Sequence, residues 1–307
     1  MSWVFSVPGK TFLAGEYLAL QEGPCLLFLS QPCFRLTIAK KKEAGQELSK
    51  AWPALHPDSP AGRFLQKQAA EFADLTGEFH DPYGGRGGFG ASTAQFLAVY
   101  AAFMARSQVH REMENILDYK HLLQAYYEVA WNGQGQRPSG ADLVGQLKGA
   151  FTFFEKRKGL ISVGSWPFAE LEFLLVHTGN KVATHEHLRS LAIFDASSLE
   201  KSFALIKEAF VSAREELLLS GVNAYAQALR DLNFTCPESL NLLAEVRTLP
   251  GVRAAKGCGA LGADVLWVIT DKKQTAEVKK YFAQHKSMSV LSSSEQVSVG
   301  LQMQGGL

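Results

Sequence analysis

The sequence predicts an α+β fold, with strands and helices mixed but without the regular alternation of a doubly wound sheet. Three observations lead there. Short apolar runs bounded by Pro, Gly and Gln crowd the N-terminal region, whereas runs with helical spacing dominate the second half. A glycine-rich segment at 84–90 stands directly before a helical stripe. With 307 residues, 47% of them hydrophobic, the chain is long enough for one large domain or two ordinary ones.

Taken in order, strands are expected at 3–7, 10–14, 25–29 and 34–39. Lys40, Lys41 and Lys42 read as a solvated turn. Phe64, Leu65, Ala69, Phe72 and Ala73 recur at helical spacing and predict a helix over 61–75, stopped by Thr76 and Gly77. Phe96, Leu97, Tyr100, Ala101 and Met104 form a second helical stripe, and 116–129 reads as a third helix. Strand-like runs return at 150–154, 160–163 and 171–177, the last continuously apolar as in a buried strand. Helical spacing covers 197–220, 222–232 and 237–249, followed by a strand at 265–269, a helix at 273–284 and a strand near 296–301. The change from a β-rich to a helical half puts a domain boundary in the loop 164–169, giving domains 1–166 and 167–307.

Thirty-one basic residues against thirty acidic ones leave a net charge of +1, so nothing global draws the chain to nucleic acid or an anionic membrane. Any anion site must be local. Cys25, Cys33, Cys236 and Cys258 form no CxxC pair and no zinc-ligand spacing, which fits free thiols in a reducing compartment. The N-terminus has no basic n-region, and no apolar run approaches the ~18 residues of a membrane span. A cytoplasmic protein is expected.

Four segments carry chemistry. Gly84, Gly85, Gly87, Gly88 and Gly90 lie within seven residues, a costly concentration that makes sense where a backbone must approach a ligand or take positive φ. The helix after them would offer its free N–H groups and positive dipole end to a phosphate. Gly85, Gly87 and Gly90 satisfy GxGxxG, but His80, Asp81, Pro82 and Tyr83 before them are turn chemistry where a dinucleotide fingerprint needs a strand. Gly9, Lys10 and Thr11 resemble the end of a Walker A loop, yet Val4 stands where its first glycine belongs. Lys10 lies between two apolar strands, so its charge needs a carboxylate or phosphate partner. Asp142 follows Ser139, Gly140 and Ala141 at a predicted helix start. Lys256, Gly257, Cys258, Gly259, Ala260, Leu261, Gly262, Ala263 and Asp264 place small residues before the strand at 265–269, where a backbone can approach a ligand closely.

In this order and spacing, the segments resemble the three motifs of the GHMP kinases. Pro8, Gly9, Lys10, Leu13, Gly15, Glu16 and Tyr17 look like PGKxxLxGEY. Gly88, Phe89, Gly90, Ala91, Ser92 and Thr93 resemble the GLGSSA phosphate loop, with Ala91 in place of a serine and Arg86 where a glycine is usual. Lys256, Gly259, Ala260, Gly262 and Asp264 resemble KxxGAGGGD, with Leu261 and Ala263 replacing glycines. Gln134, Gly135, Ser139, Gly140 and Asp142 are similar to the QGxxxSGxD segment of phosphomevalonate kinases.

The resemblance implies a two-domain GHMP kinase fold: an N-terminal domain of the ribosomal protein S5 domain 2-like type and a ferredoxin-like C-terminal domain. It implies ATP and Mg²⁺ as cofactors, with phosphomevalonate or mevalonate as acceptor. Lys10 and Asp142 are the implied catalytic residues. Gly87, Gly88, Gly90, Ala91, Ser92 and Thr93 would bind ATP, and Glu16, Tyr17, Ser139, Gly140, Lys181 and Gly259 the acceptor. Ser92 and Glu128 would ligate magnesium. Thr178, Gly179, Lys181 and Thr184 resemble a loop that faces the acceptor, and Arg86, Arg137, Lys148 and Lys181 are candidate cations for its phosphate. A monomer or homodimer without nucleic-acid or membrane partners is expected.

Overall fold

The computed structural model describes residues 2–41, 47–107, 117–179, 187, 191, 193–285 and 287–306. Two sheets organise the chain. The first is six-stranded: β1 (Ser2–Ala14), β2 (Pro24–Lys40), β4 (Phe151–Glu155) and β5 (Leu160–Gly164) follow one another, β3 (Leu75–His80) also pairs with β2, and β10 (Gln302–Gly305) flanks β1. The second is four-stranded, built from β6 (Leu171–His177), β7 (Val252–Cys258), β8 (Val265–Asp271) and β9 (Ser289–Ser293) in the order β7-β8-β6-β9. All its pairings are antiparallel, and the helices between β6 and β7 and between β8 and β9 complete a ferredoxin-like unit. The last strand of the chain thus returns to the first sheet.

The helices are α1 (Leu48–Ala51), α2 (Pro60–Lys67), α3 (Ala91–Ser107), α4 (Tyr119–Ala130), α5 (Ala141–Lys148), α6 (Ser197–Ser212), α7 (Glu215–Asp231), α8 (Pro237–Val246) and α9 (Thr275–Gln284). The main core joins Phe5, Leu27, Phe28, Phe96, Leu97, Phe151 and Phe173, so both lobes share one apolar interior. A smaller cluster around Leu174, Leu266, Val268 and Phe282 lies between the second sheet and its helices.

Five expectations shift, the first being that the strands expected at 25–29 and 34–39 are one continuous strand, β2. The strands expected at 3–7 and 10–14 are one strand whose register slips between Val7 and Gly9, at Pro8, which has no N–H to give the ladder. The helix expected over 61–75 ends at Lys67, and Thr76 and Gly77 lie inside β3; a Cβ on Gly77 would lie 2.2 Å from the Trp52 ring, so this glycine admits an indole rather than stopping a helix. The break expected after residue 220 falls at Ala213, in left-handed conformation (φ 54°), while Gly221 sits inside α7 with Ile206 packed on its backbone. Residues 296–301 form only isolated bridges, Ser30 with Val297 and Gly149 with Val299. Among the described residues no helix is long and apolar enough to cross a membrane, and the four cysteines are all free.

Candidate active site

Lys10 Nζ lies 2.9 Å from Oδ2 of Asp142, both side chains largely buried. Each is placed by its element. Lys10 follows the slip in β1, and its backbone N–H donates to Phe89 O at 3.0 Å, tying the strand to the glycine loop. Phe89 is itself locked by stacking on Tyr83, ring centroids 4.2 Å apart. Asp142 is in the first turn of α5, where its charge suits the helix dipole. Gly140 starts that helix at φ 75°, a left-handed position that only glycine takes freely, and Leu123 and the Tyr127 hydroxyl leave no room for a Cβ. The Tyr127 hydroxyl donates to Ser139 O at 3.0 Å, and Ser139 Oγ accepts the Ala141 N–H.

The glycine loop closes over this pair. Gly90 (φ 77°) rests on the stem of Lys10, where a Cβ would lie 2.7 Å from both Cγ and Cε. Its carbonyl accepts from Ala94 N and Thr93 Oγ1, which makes it the cap from which α3 begins. Ser92 is exposed in the first turn of that helix and Ala91 half-buried beside it, and the N–H groups of a first turn have no partner within the helix. Gly87 passes directly over Asp264, where a Cβ would lie 2.9 Å from Oδ2. The second and third motifs are therefore in contact. The strand before the loop is real but ends at His80, pairs antiparallel with β2 and is followed by a turn in which Asp81 accepts from Tyr83 N and Gly85 N. A dinucleotide fold is excluded by that pairing rather than by the absence of a strand.

Glu16 and Tyr17 are buried. Glu16 Oε1 meets Lys256 Nζ at 3.0 Å; Lys256 has no exposed surface, also donates to Leu13 O at 2.8 Å and lies 5.4 Å from the Tyr225 ring. Burial raises the Glu16 carboxyl above its usual range, and Lys256 opposes the rise. Tyr17 stacks on Phe234 at 4.1 Å, and its hydroxyl accepts the Leu261 N–H at 3.0 Å and meets His187 Nε2 at 3.0 Å. Leu261 keeps a left-handed conformation (φ 59°) despite its side chain, a strain of about 1–3 kcal/mol that this hydrogen bond helps to hold. Both residues thus join the first and third motifs. Gly259 (φ 75°) opens onto free space.

Glu128 lies half-exposed on α4, ion-paired with Lys67 of α2. Arg137 is ion-paired with Glu22 at 2.7 Å and lies over Tyr127 at 4.9 Å. Arg86 is exposed on the loop, and Lys148 is exposed at the end of α5. Lys181 and Thr184 lie outside the described residues, while Thr178 follows β6 and donates to Ala263 O. Among the described residues no three His, Cys, Asp or Glu side chains converge. The second oxygen of Asp142 is shielded and has no hydrogen-bond partner, which suits a group that receives a ligand donor. Sequence reasoning missed Gln146 and the Glu16–Lys256 partnership. The signal for the second was a lysine in the third motif and a glutamate in the first, each flanked by small or apolar residues.

No family model and no curated protein matches the chain. Solved structures do. A Listeria innocua protein aligns with TM-score 0.74 at 18% identity, covering 100% of both chains. The Streptococcus pneumoniae phosphomevalonate kinase in complex with phosphomevalonate and AMPPNP aligns with TM-score 0.73 at 18% identity over 95% of this chain and 99% of its own. The Lactococcus lactis galactokinase complexed with galactose aligns with TM-score 0.72 at 13% identity over 98% and 95%. With this end-to-end likeness and the strand order described above, the chain has the fold of the GHMP kinases.

Proposed function

We propose that the chain is an ATP-dependent kinase that transfers the γ-phosphoryl group to phosphomevalonate, with mevalonate as the second reading. The observation that carries the proposal is the Lys10–Asp142 pair, 2.9 Å apart under a glycine loop that opens onto a helix N-terminus. Phosphoryl transfer needs alignment and electrostatic stabilisation more than covalent help from the protein. The N–H groups of the loop and of the first turn of α3 hold phosphate oxygens, and the Lys10 ammonium stabilises charge on the moving phosphoryl group. Asp142 orients the acceptor hydroxyl and accepts its proton late in transfer. A magnesium ion bound with the triphosphate would supply charge neutralisation there. Ser92 would hold it, joined by Glu128 if that carboxylate leaves Lys67.

The spacing from Gln134 to Asp142, and similarity to a structure solved with phosphomevalonate, support the acceptor. Arg137 shares Glu22 with Lys156, at 2.7 and 2.8 Å, so the three together keep a net positive charge that suits an acceptor phosphate. The test is ADP release from ATP and Mg²⁺ with each acceptor, for the wild type and Asp142→Asn. Turnover with phosphomevalonate is expected, falling by about 10²–10⁴ in the variant. Turnover with mevalonate alone would overturn the acceptor, and turnover only with galactose or homoserine would move it to another class. Silence with all four would overturn the kinase reading in favour of a ligand-binding relative.

A further inference from the structure

Gln146 has no exposed surface and lies on α5 one turn after Asp142, so the two side chains project from nearly the same helix face. Its Nε2 donates to Pro8 O at 3.0 Å and to Gly90 O at 3.1 Å. Because both partners are carbonyls, only the amide nitrogen can face them, and the orientation of the amide is fixed by chemistry. Its Oε1 is buried with no hydrogen-bond partner. An orphaned amide oxygen costs about 1–3 kcal/mol, which the two hydrogen bonds from Nε2 offset.

The two carbonyls belong to the segments that must be registered for transfer. Pro8 is at the slip of β1, where the ladder to β2 is interrupted, two residues before Lys10. Gly90 caps α3 and rests on the Lys10 stem. One side chain therefore ties the helix bearing Asp142 to the strand bearing Lys10 and to the loop that opens onto α3. We infer that Gln146 is a positioning residue, fixing the Lys10–Asp142 pair relative to the phosphate loop and hence the acceptor hydroxyl relative to the transferred group. This inference rests on the kinase reading above.

The test is Gln146→Met, which keeps length and apolar volume but removes both donors, assayed for kcat, for KM of ATP and acceptor, and for folded fraction by thermal unfolding. A misalignment of about 1 Å is enough to cost about 10²-fold in rate, so kcat is expected to fall about 10- to 100-fold with both KM values within about 3-fold. A second variant, Gln146→Glu, adds a readout that packing alone does not move. Its carboxyl donates one hydrogen bond only when protonated, so its kcat relative to wild type is expected to recover as pH falls. Unchanged kcat in folded Gln146→Met overturns the inference. If that variant fails to fold, a Gln146→Glu activity ratio that stays flat with pH overturns it. A wild-type protein inactive on every acceptor overturns the kinase reading instead, which separates the two failures.

Discussion

Replacing Lys256 by methionine removes the cation from the buried pair that links the loop after β1 to β7. At 3.0 Å two unit charges attract by about 5 kcal/mol for an effective dielectric constant near 20. Desolvation of the two ions offsets several kcal/mol of that, so the intact pair is near neutral relative to an apolar replacement. Cutting one side is different. Lys256→Met leaves Glu16, only 3% exposed at its side chain, without a counter-ion, and is expected to cost about 3–5 kcal/mol of unfolding free energy in urea. Combined with Glu16→Gln, the loss should be smaller than the sum of the single losses by about 2–3 kcal/mol. The pH dependence separates charge from packing. Burial already raises the Glu16 pKa and Lys256 opposes it, so removing Lys256 raises it further. The folded variant then binds a proton at a pH where the unfolded chain has none, and its stability deficit shrinks as pH falls towards the ordinary carboxylate range. Additive losses, or a deficit flat with pH, would refute the reasoning.

Two further outcomes follow from the site. Gly90→Ala places a methyl group 2.7 Å from the Lys10 stem at φ 77°, so Lys10 must shift; kcat is expected to fall about 10- to 100-fold in steady-state assays, with a stability loss of about 1–2 kcal/mol. His177 is held below its ordinary value chiefly by burial, with Asp264 opposing and Arg86 adding to the fall. It stays neutral in the folded protein where the unfolded chain is protonated, so its contribution to stability is lost as pH drops below about 6.5. In an NMR titration Arg86→Ala should raise the His177 midpoint and Asp264→Asn lower it; opposite shifts would show that these charges do not face the imidazole.

The sequence alone determined the α+β class, the order of the glycine-bearing motifs and the need of Lys10 for a partner. These are local matters: hydrophobic period, glycine density and the cost of a charge between apolar strands are written into a few neighbouring residues. It also placed Asp142 in a first helical turn, where Gly140 supplies the left-handed start. The partner of Glu16 was only hinted at, by a lysine flanked by small residues in the third motif, because Lys256 is 240 residues away and meets it only when β7 packs beside the loop after β1. Gln146 was equally silent, since an amide in a helix carries no signal until two carbonyls from other elements arrive at its nitrogen. Gly77 read as a stop, and a break was expected between 220 and 222, at Gly221, for a related reason. A glycine looks the same in sequence whether it ends an element or admits a neighbour, and only packing against Trp52 and Ile206 decided which.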